Sequence, residues 1–174
     1  MKIFRTVMAA VSLMIPLGAL AQSAPSKDAF QRLAFLQGTW EAKTEVPAGV
    51  NSNGKYSFAL ELKNHVMARH TVSVESCKGP DSYDCEHSDL LYIYPEGDVT
   101  LHAIYFDNEG HVIKYDVSTP GPATAVFLSD SSQPGPQFRL VYERKADTMF
   151  GKFQMRMPGQ SEWKSYLEWS GEKK

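Results

Sequence analysis

Apolar side chains fall on every second position over long parts of this chain. Tyr56, Phe58, Leu60 and Leu62 are separated by Ser57, Ala59 and Glu61. A period of two places the first set on one face of a pleated strand and leaves the other face to water. The beat recurs in segments 40–46, 66–74, 90–94, 99–106, 111–118, 123–129, 137–144, 149–157 and 163–169. Turn formers separate them: Lys63-Asn64, Pro95-Glu96-Gly97-Asp98, Asp107-Asn108-Glu109-Gly110, the Pro/Gly-rich stretch 131–136, and Pro158-Gly159. Asn53-Gly54 reads as a hairpin turn ahead of the second strand. In segment 66–74 the row Val66, Ala68, His70, Val72 and Val74 is expected to face inward.

Ahead of the strands the spacing changes. Ser26 is placed to cap a short helix, and Asp28 in its first turn suits the helix dipole. Phe30, Leu33, Ala34 and Gln37 share one face, with Leu36 beside it. Gly38 ends the helix, because a residue without Cβ takes a left-handed conformation at no steric cost. Thr39 and Trp40 then open a strand. Two or three helical turns are not stable alone, so their apolar stripe must pack on something. About ten evenly spaced strands without a long helix between them predict an all-β fold. The expected form is an antiparallel up-and-down barrel with the short N-terminal helix plugging one end, since closure removes exposed sheet edges.

Residues 1–21 stand apart as a leader. Lys2 and Arg5 precede the apolar stretch 7–20, and Ala19-Leu20-Ala21 offers small residues at a cleavage site. The expected mature chain, 22–174, is a single barrel domain that is periplasmic or secreted and has no membrane span of its own. Cys77 and Cys85 are the only cysteines. In an oxidising compartment such a pair reads as a disulfide. A metal site of Cys77, Cys85 and His87 lacks the paired short spacing of zinc motifs. Composition adds one exclusion. With 18 basic against 20 acidic residues and no basic run, nucleic acid is not an expected partner.

The stretch Leu36-Gln37-Gly38-Thr39-Trp40-Glu41 after a short helix resembles the opening of calycin-type barrels, the lipocalin and nitrobindin-like group. Tyr105-Phe106-Asp107-Asn108-Glu109-Gly110-His111-Val112, and the close from Glu162-Trp163-Lys164 through Trp169, are similar to a family of uncharacterised secreted bacterial lipocalin-like domains. The resemblance implies a ten-stranded barrel with an internal cavity and no settled activity. Nitrobindin-like proteins hold haem iron through a histidine near the C-terminus. Segment 166–174 has none, and the last histidine is His111, so no haem ligand carries over. No cofactor and no metal are expected.

The apolar rows carry Tyr56, Phe58, Leu60, His70, Tyr115, Phe138, Tyr142, Phe153, Met155, Trp163 and Trp169. Directed inward, they would either enclose a small apolar or aromatic ligand or simply fill a packed core. Trp40, Tyr56, Phe58, His70, Tyr115, Tyr142, Phe153 and Trp163 are the candidate ligand-binding residues. His70 is the one imidazole in an aliphatic row, and reads either as a proton carrier or as a hydrogen-bonded core residue. His65 and His111 sit beside turns and are expected in solvent. No Gly-x-Ser-x-Gly elbow, phosphate-binding glycine loop or His-Glu-x-x-His is present. The acidic residues Asp81, Asp84, Glu86 and Asp89 do not follow a calcium-loop order. The expected role is an exported barrel that binds a small hydrophobic molecule. The alternatives are a small enzyme of isomerase, cyclase or decarboxylase type using His70 with Tyr115 or Tyr142, and an envelope protein–protein module.

Overall fold

The computed structural model describes residues 29–46, 51–80, 85–97 and 100–174. Ten strands form one closed antiparallel barrel. They are β1 (Gly38–Val46), β2 (Asn51–Glu61), β3 (Val66–Lys78), β4 (Asp89–Glu96) and β5 (Thr100–Asp107). β6 (Val112–Gly121), β7 (Thr124–Ser129), β8 (Gln137–Lys145), β9 (Thr148–Arg156) and β10 (Lys164–Lys173) complete the ring. Each strand pairs with its neighbours in sequence, and β1 pairs with β10 to close the seam. At the seam Trp40 lies opposite Lys173, and the backbone N–H of Lys174 donates to the carbonyl of Thr39.

Residues directly opposite one another in a ladder share a face. Phe58 pairs with Arg69, Arg69 with Leu91, Leu91 with Tyr105, and Tyr105 with Ile113. This transverse row faces inward, since Phe58 and Leu91 are buried in the apolar core. The next row, Ser57, His70, Leu90, Phe106 and Val112, therefore faces out. The inward residues of β3 are thus Met67, Arg69 and Thr71, not the predicted row through His70. A displaced phase explains the difference. The β2–β3 pairing slips between Asn53 and Gly54 and again between Lys55 and Tyr56, so one alternation does not run the length of β3. Asn53-Gly54 itself lies within β2 at such a slip and not in a turn. The residues linking β1 to β2 lie outside the described ones.

The predicted turns at Lys63-Asn64 and Pro158-Gly159 are in place. Leu62, Lys63 and Asn64 all take positive φ, as does Gly159. Gly38 has φ 120°, a conformation that favours glycine; a Cβ there would meet only the movable end of the Lys173 side chain. Before it, a 3-10 helix spans Gln31–Leu36. Its tighter winding puts Phe30, Leu33 and Leu36 in line, and all three are buried in the barrel's apolar cluster. Ala34 is exposed, which corrects the α-helical face predicted for it. Ser26, the expected cap, lies outside the described residues. The Trp40 indole N–H donates to the Leu36 carbonyl at 2.7 Å and ties this helix to β1. Cys77 and Cys85 form a disulfide, as their pairing predicts. Asp81 and Asp84 of the acidic loop fall outside the described residues.

Gly151 of β9 has the least room for a side chain of the described glycines. A Cβ there would stand 2.1 Å from the Trp169 ring, which lies flat against the β9 backbone. Gly151→Ala is expected to cost about 1–3 kcal/mol of stability through overpacking. Urea unfolding of the variant measures it, with Gly121→Ala, also free of positive φ and with its nearest contact at 3.4 Å, as the control for glycine replacement without the clash.

Candidate functional site: an interior cavity with a polar mouth

Part of the barrel interior is solid. Phe58, Met67, Ile93, Phe127 and Met149 pack there with Leu33, Leu36 and Trp40. The remainder is a cavity of about 530 Å³. Its apolar wall is built from inward positions of β2, β6, β8, β9 and β10, including Tyr56, Tyr115, Phe138, Leu140, Tyr142, Phe153 and Trp169. Tyr142 is the hub of these rings. It meets Phe58 edge-on at 5.3 Å between centroids, and Phe127 and Trp169 at 6.0 and 5.7 Å. Phe138 and Phe153 are stacked at 5.6 Å. Edge-to-face contacts of this kind fix ring orientation as well as burying area.

The opposite wall is polar. Arg69 and Asp89 form an ion pair with side chains only 13% and 10% exposed. Thr71 supports it: its hydroxyl donates to Asp89 at 3.2 Å and accepts the Asp89 backbone N–H at 3.3 Å. The Arg69 guanidinium also lies 4.8 Å above the Tyr56 ring, a cation–π contact. A buried pair of this sort holds because each charge has its partner, and removing either would strand the other. His87 stands next to it. Its Nε2 is hydrogen-bonded to the Tyr105 hydroxyl at 3.1 Å and lies 3.6 Å from Asp89. Asp89 and Asp107 sit directly opposite in the β4–β5 ladder, so both carboxylates face into this end of the barrel.

Asp107 anchors the hairpin at the rim. Its carboxylate accepts the backbone N–H groups of Glu109 and His111 at 3.1 and 2.8 Å, and the His111 imidazole at 2.9 Å. Partial burial works to raise the Asp107 carboxyl, but these His111 contacts outweigh it and hold it below the ordinary aspartate range. Glu109 and His111 are the outermost members, 43% and 62% exposed.

Of the residues picked out by sequence, Tyr56, Tyr115, Tyr142 and Phe153 line the cavity. Trp40 and Phe58 are buried in the solid part and support the wall from behind. His70 and Trp163 stand elsewhere. His70 is on the outer face, hydrogen-bonded to Glu61 at 2.8 Å, because its cross-strand partners Ser57 and Leu90 face out. Trp163 precedes β10, and the guanidinium groups of Arg139 and Arg156 lie against its ring at 4.4 and 4.7 Å. Both arginines alternate with the inward residues of their strands, so this contact is on the outside.

Sequence reasoning missed Arg69, His87, Asp89 and Tyr105. One indication was available. Asp89 shares its parity with Leu91 and Ile93, so a carboxylate had to enter with them and required a cation inside.

Burial pushes the Tyr56 hydroxyl from its ordinary value of 10.0 up to about 12. It lifts Tyr115 and Tyr142 further still. These groups are neutral donors at physiological pH. The sign of the linkage follows: a folded-state pKa above the unfolded one gives stability that is complete below pH ~10 and is lost as pH rises toward 12. Spectrophotometric titration is expected to show ionisation of these tyrosines together with barrel unfolding above pH ~10. Titration of every tyrosine near the ordinary value in a folded barrel would contradict it.

The architecture is shared with a known crystal structure, that of Rv2717c from M. tuberculosis. The two superpose with a TM-score of 0.53 over 84% of this chain and 97% of that one, at 13% sequence identity. A likeness at this identity is one of fold. No protein-family model matches the chain, and no curated protein matches it. The chain is a ten-stranded closed barrel with a structural neighbour of the same form.

Proposed function

We propose that this chain is an exported binding barrel that takes a small, mostly apolar or aromatic molecule into its interior. The observation that carries the reading is the ring-lined cavity of about 530 Å³. That volume lies in the range of small-molecule sites, roughly 300–1,000 Å³. Tyr115, Phe153 and the rings around Tyr142 would contact the body of the ligand. Arg69, Asp89 and His87 on the facing wall would orient any polar end. Among the described residues the buried Arg69 Nε has no hydrogen-bond partner, so it is open to a polar end of the ligand, while apolar burial would supply most of the binding free energy. The resemblance to calycin-type barrels is compatible with this role.

Export rests on the leader pattern of residues 1–21 and on the Cys77–Cys85 disulfide, a bond that persists in oxidising compartments. Among the described residues no helix is long and apolar enough to cross a membrane. The enzyme alternative built on His70 with Tyr115 or Tyr142 has no geometry to use, since His70 lies on the other side of the wall from both tyrosines.

Fluorescence titration with an environment-sensitive apolar dye, paired with native mass spectrometry, tests the reading. Saturable one-to-one uptake is expected. Leu140→Trp would fill the cavity from an inward position of β8 and is expected to weaken uptake at least about tenfold, or 1.4 kcal/mol. Absence of uptake by the unaltered protein, or uptake indifferent to Leu140→Trp in a folded variant, would sink it.

A further inference from the structure

Three metal-ligating side chains of one hairpin meet at the mouth of the cavity, and a fourth, His87, approaches them from a separate stretch of chain. His87 lies in the segment leading into β4. Asp107, Glu109 and His111 belong to the β5–β6 hairpin. One ligand atom from each of the three hairpin residues lies within 4.8 Å of the other two. His111 Nδ1 is 2.9 Å from Asp107 Oδ2 and 3.6 Å from Glu109 Oε2. His87 Nδ1 is 3.6 Å from the other oxygen of the same carboxylate, Glu109 Oε1. Nitrogen and oxygen ligands at about 2.1 Å from a tetrahedral ion stand ~3.4 Å from one another. The observed separations bracket that edge.

Separation alone would describe any acidic hairpin with an ion pair. Two further observations set this cluster apart. The first is the second imidazole and how it is held. His87 has its Nε2 engaged by the Tyr105 hydroxyl at 3.1 Å, with Asp89 at 3.6 Å on the same nitrogen. A ligating histidine is commonly oriented by a hydrogen bond on its other ring nitrogen, which fixes the tautomer and frees the lone pair for the metal. Here that lone pair would be on Nδ1, the atom turned toward Glu109. The second is the charge balance. Asp89 and Asp107 face each other across the ladder, and Glu109 adds a third carboxylate at the rim. Arg69 is committed to Asp89. Three carboxylates thus converge with two imidazoles at an end of the barrel where the Asp107 side chain is only 4% exposed.

We propose that His87, Asp107, Glu109 and His111 bind one divalent transition-metal ion of the zinc class at the cavity mouth. Two imidazole nitrogens beside two carboxylates favour such an ion over calcium or magnesium, which take oxygen ligands. The ion would join the segment before β4 to the β5–β6 hairpin and set a positive charge at the entrance to the cavity.

The test uses untagged full-length protein stripped with a chelator, so that no added histidines compete. Zn²⁺ and Co²⁺ are titrated by calorimetry, with visible absorption of the Co²⁺ form as the report on geometry. One ion per chain is expected, with the strong visible bands of four-coordinate cobalt. Glu109→Gln alters an exposed side chain and should leave the melting temperature unchanged, whereas His111→Ala also removes the imidazole that Asp107 accepts, so its metal-free melting temperature is measured beside its binding. Each is expected to weaken binding at least about tenfold, and His87→Gln likewise. Calcium should not compete. Absence of saturable Zn²⁺ binding, or binding unaltered by Glu109→Gln and His111→Ala, would overturn the proposal. Loss with the hairpin variants but not with His87→Gln would overturn the four-ligand site. Dye uptake measured on the same samples is a separate readout, so failure of the apolar-ligand reading leaves this result to stand or fall alone.

Discussion

Closure dictates which way each side chain points. In an open sheet an edge strand can slip by one residue without disturbing the far side. In a ring every strand is held on both edges, and inward and outward must agree all the way round. Once Phe58 is committed to the core, Arg69, Leu91, Tyr105 and Ile113 follow it inside through direct pairing. Arg69 does not enter because its chemistry suits an apolar interior. It enters because its register allows nothing else, and the interior is arranged to receive it.

That arrangement explains why the barrel has two unlike walls. A guanidinium brought inside costs several kcal/mol unless it is paired and hydrogen-bonded. Asp89 stands close by on β4, Thr71 two positions on in β3 braces it, and the Tyr56 ring lies beneath the cation. His87, Tyr105 and Asp107 continue the polar set toward the rim. The opposite wall is packed ring against ring around Tyr142. Where rings and the 3-10 helix meet, the interior is filled. Where the polar set diverges from them, it is hollow.

Much of this was legible in advance. Strand number, closure, the turn at Lys63-Asn64 and the Cys77–Cys85 bond all follow from alternation and local residue chemistry. So do the inward rows of β2 and β8, where Tyr56, Phe58, Phe138 and Tyr142 repeat over unbroken stretches. The failures have a common origin in pairing between distant residues. His70 was assigned inward because valines flank it at even spacing. Its direct pairing with Ser57 and Leu90, invisible in β3 alone, sends it out. Asn53-Gly54 has turn chemistry but lies at a slip in the β2–β3 ladder. Alternation places Trp163 on an interior row, yet two guanidinium groups hold it on the outer wall. The polar mouth was missed for the opposite reason: Arg69 and Asp89 look like surface residues until their ladder partners are known.

The ring also imposes an order on how it can be made. Nine of the ten pairings join strands that follow one another in sequence, so each needs only a short loop to close. The β1–β10 seam is different, since it joins the two ends of the described chain. Its encounter carries the largest loss of chain entropy, and nothing local rewards it beforehand. Hairpins can gather early, but the last step is a long-range search. Until that step succeeds, the molecule is a curled sheet with two raw edges, open to partners other than itself.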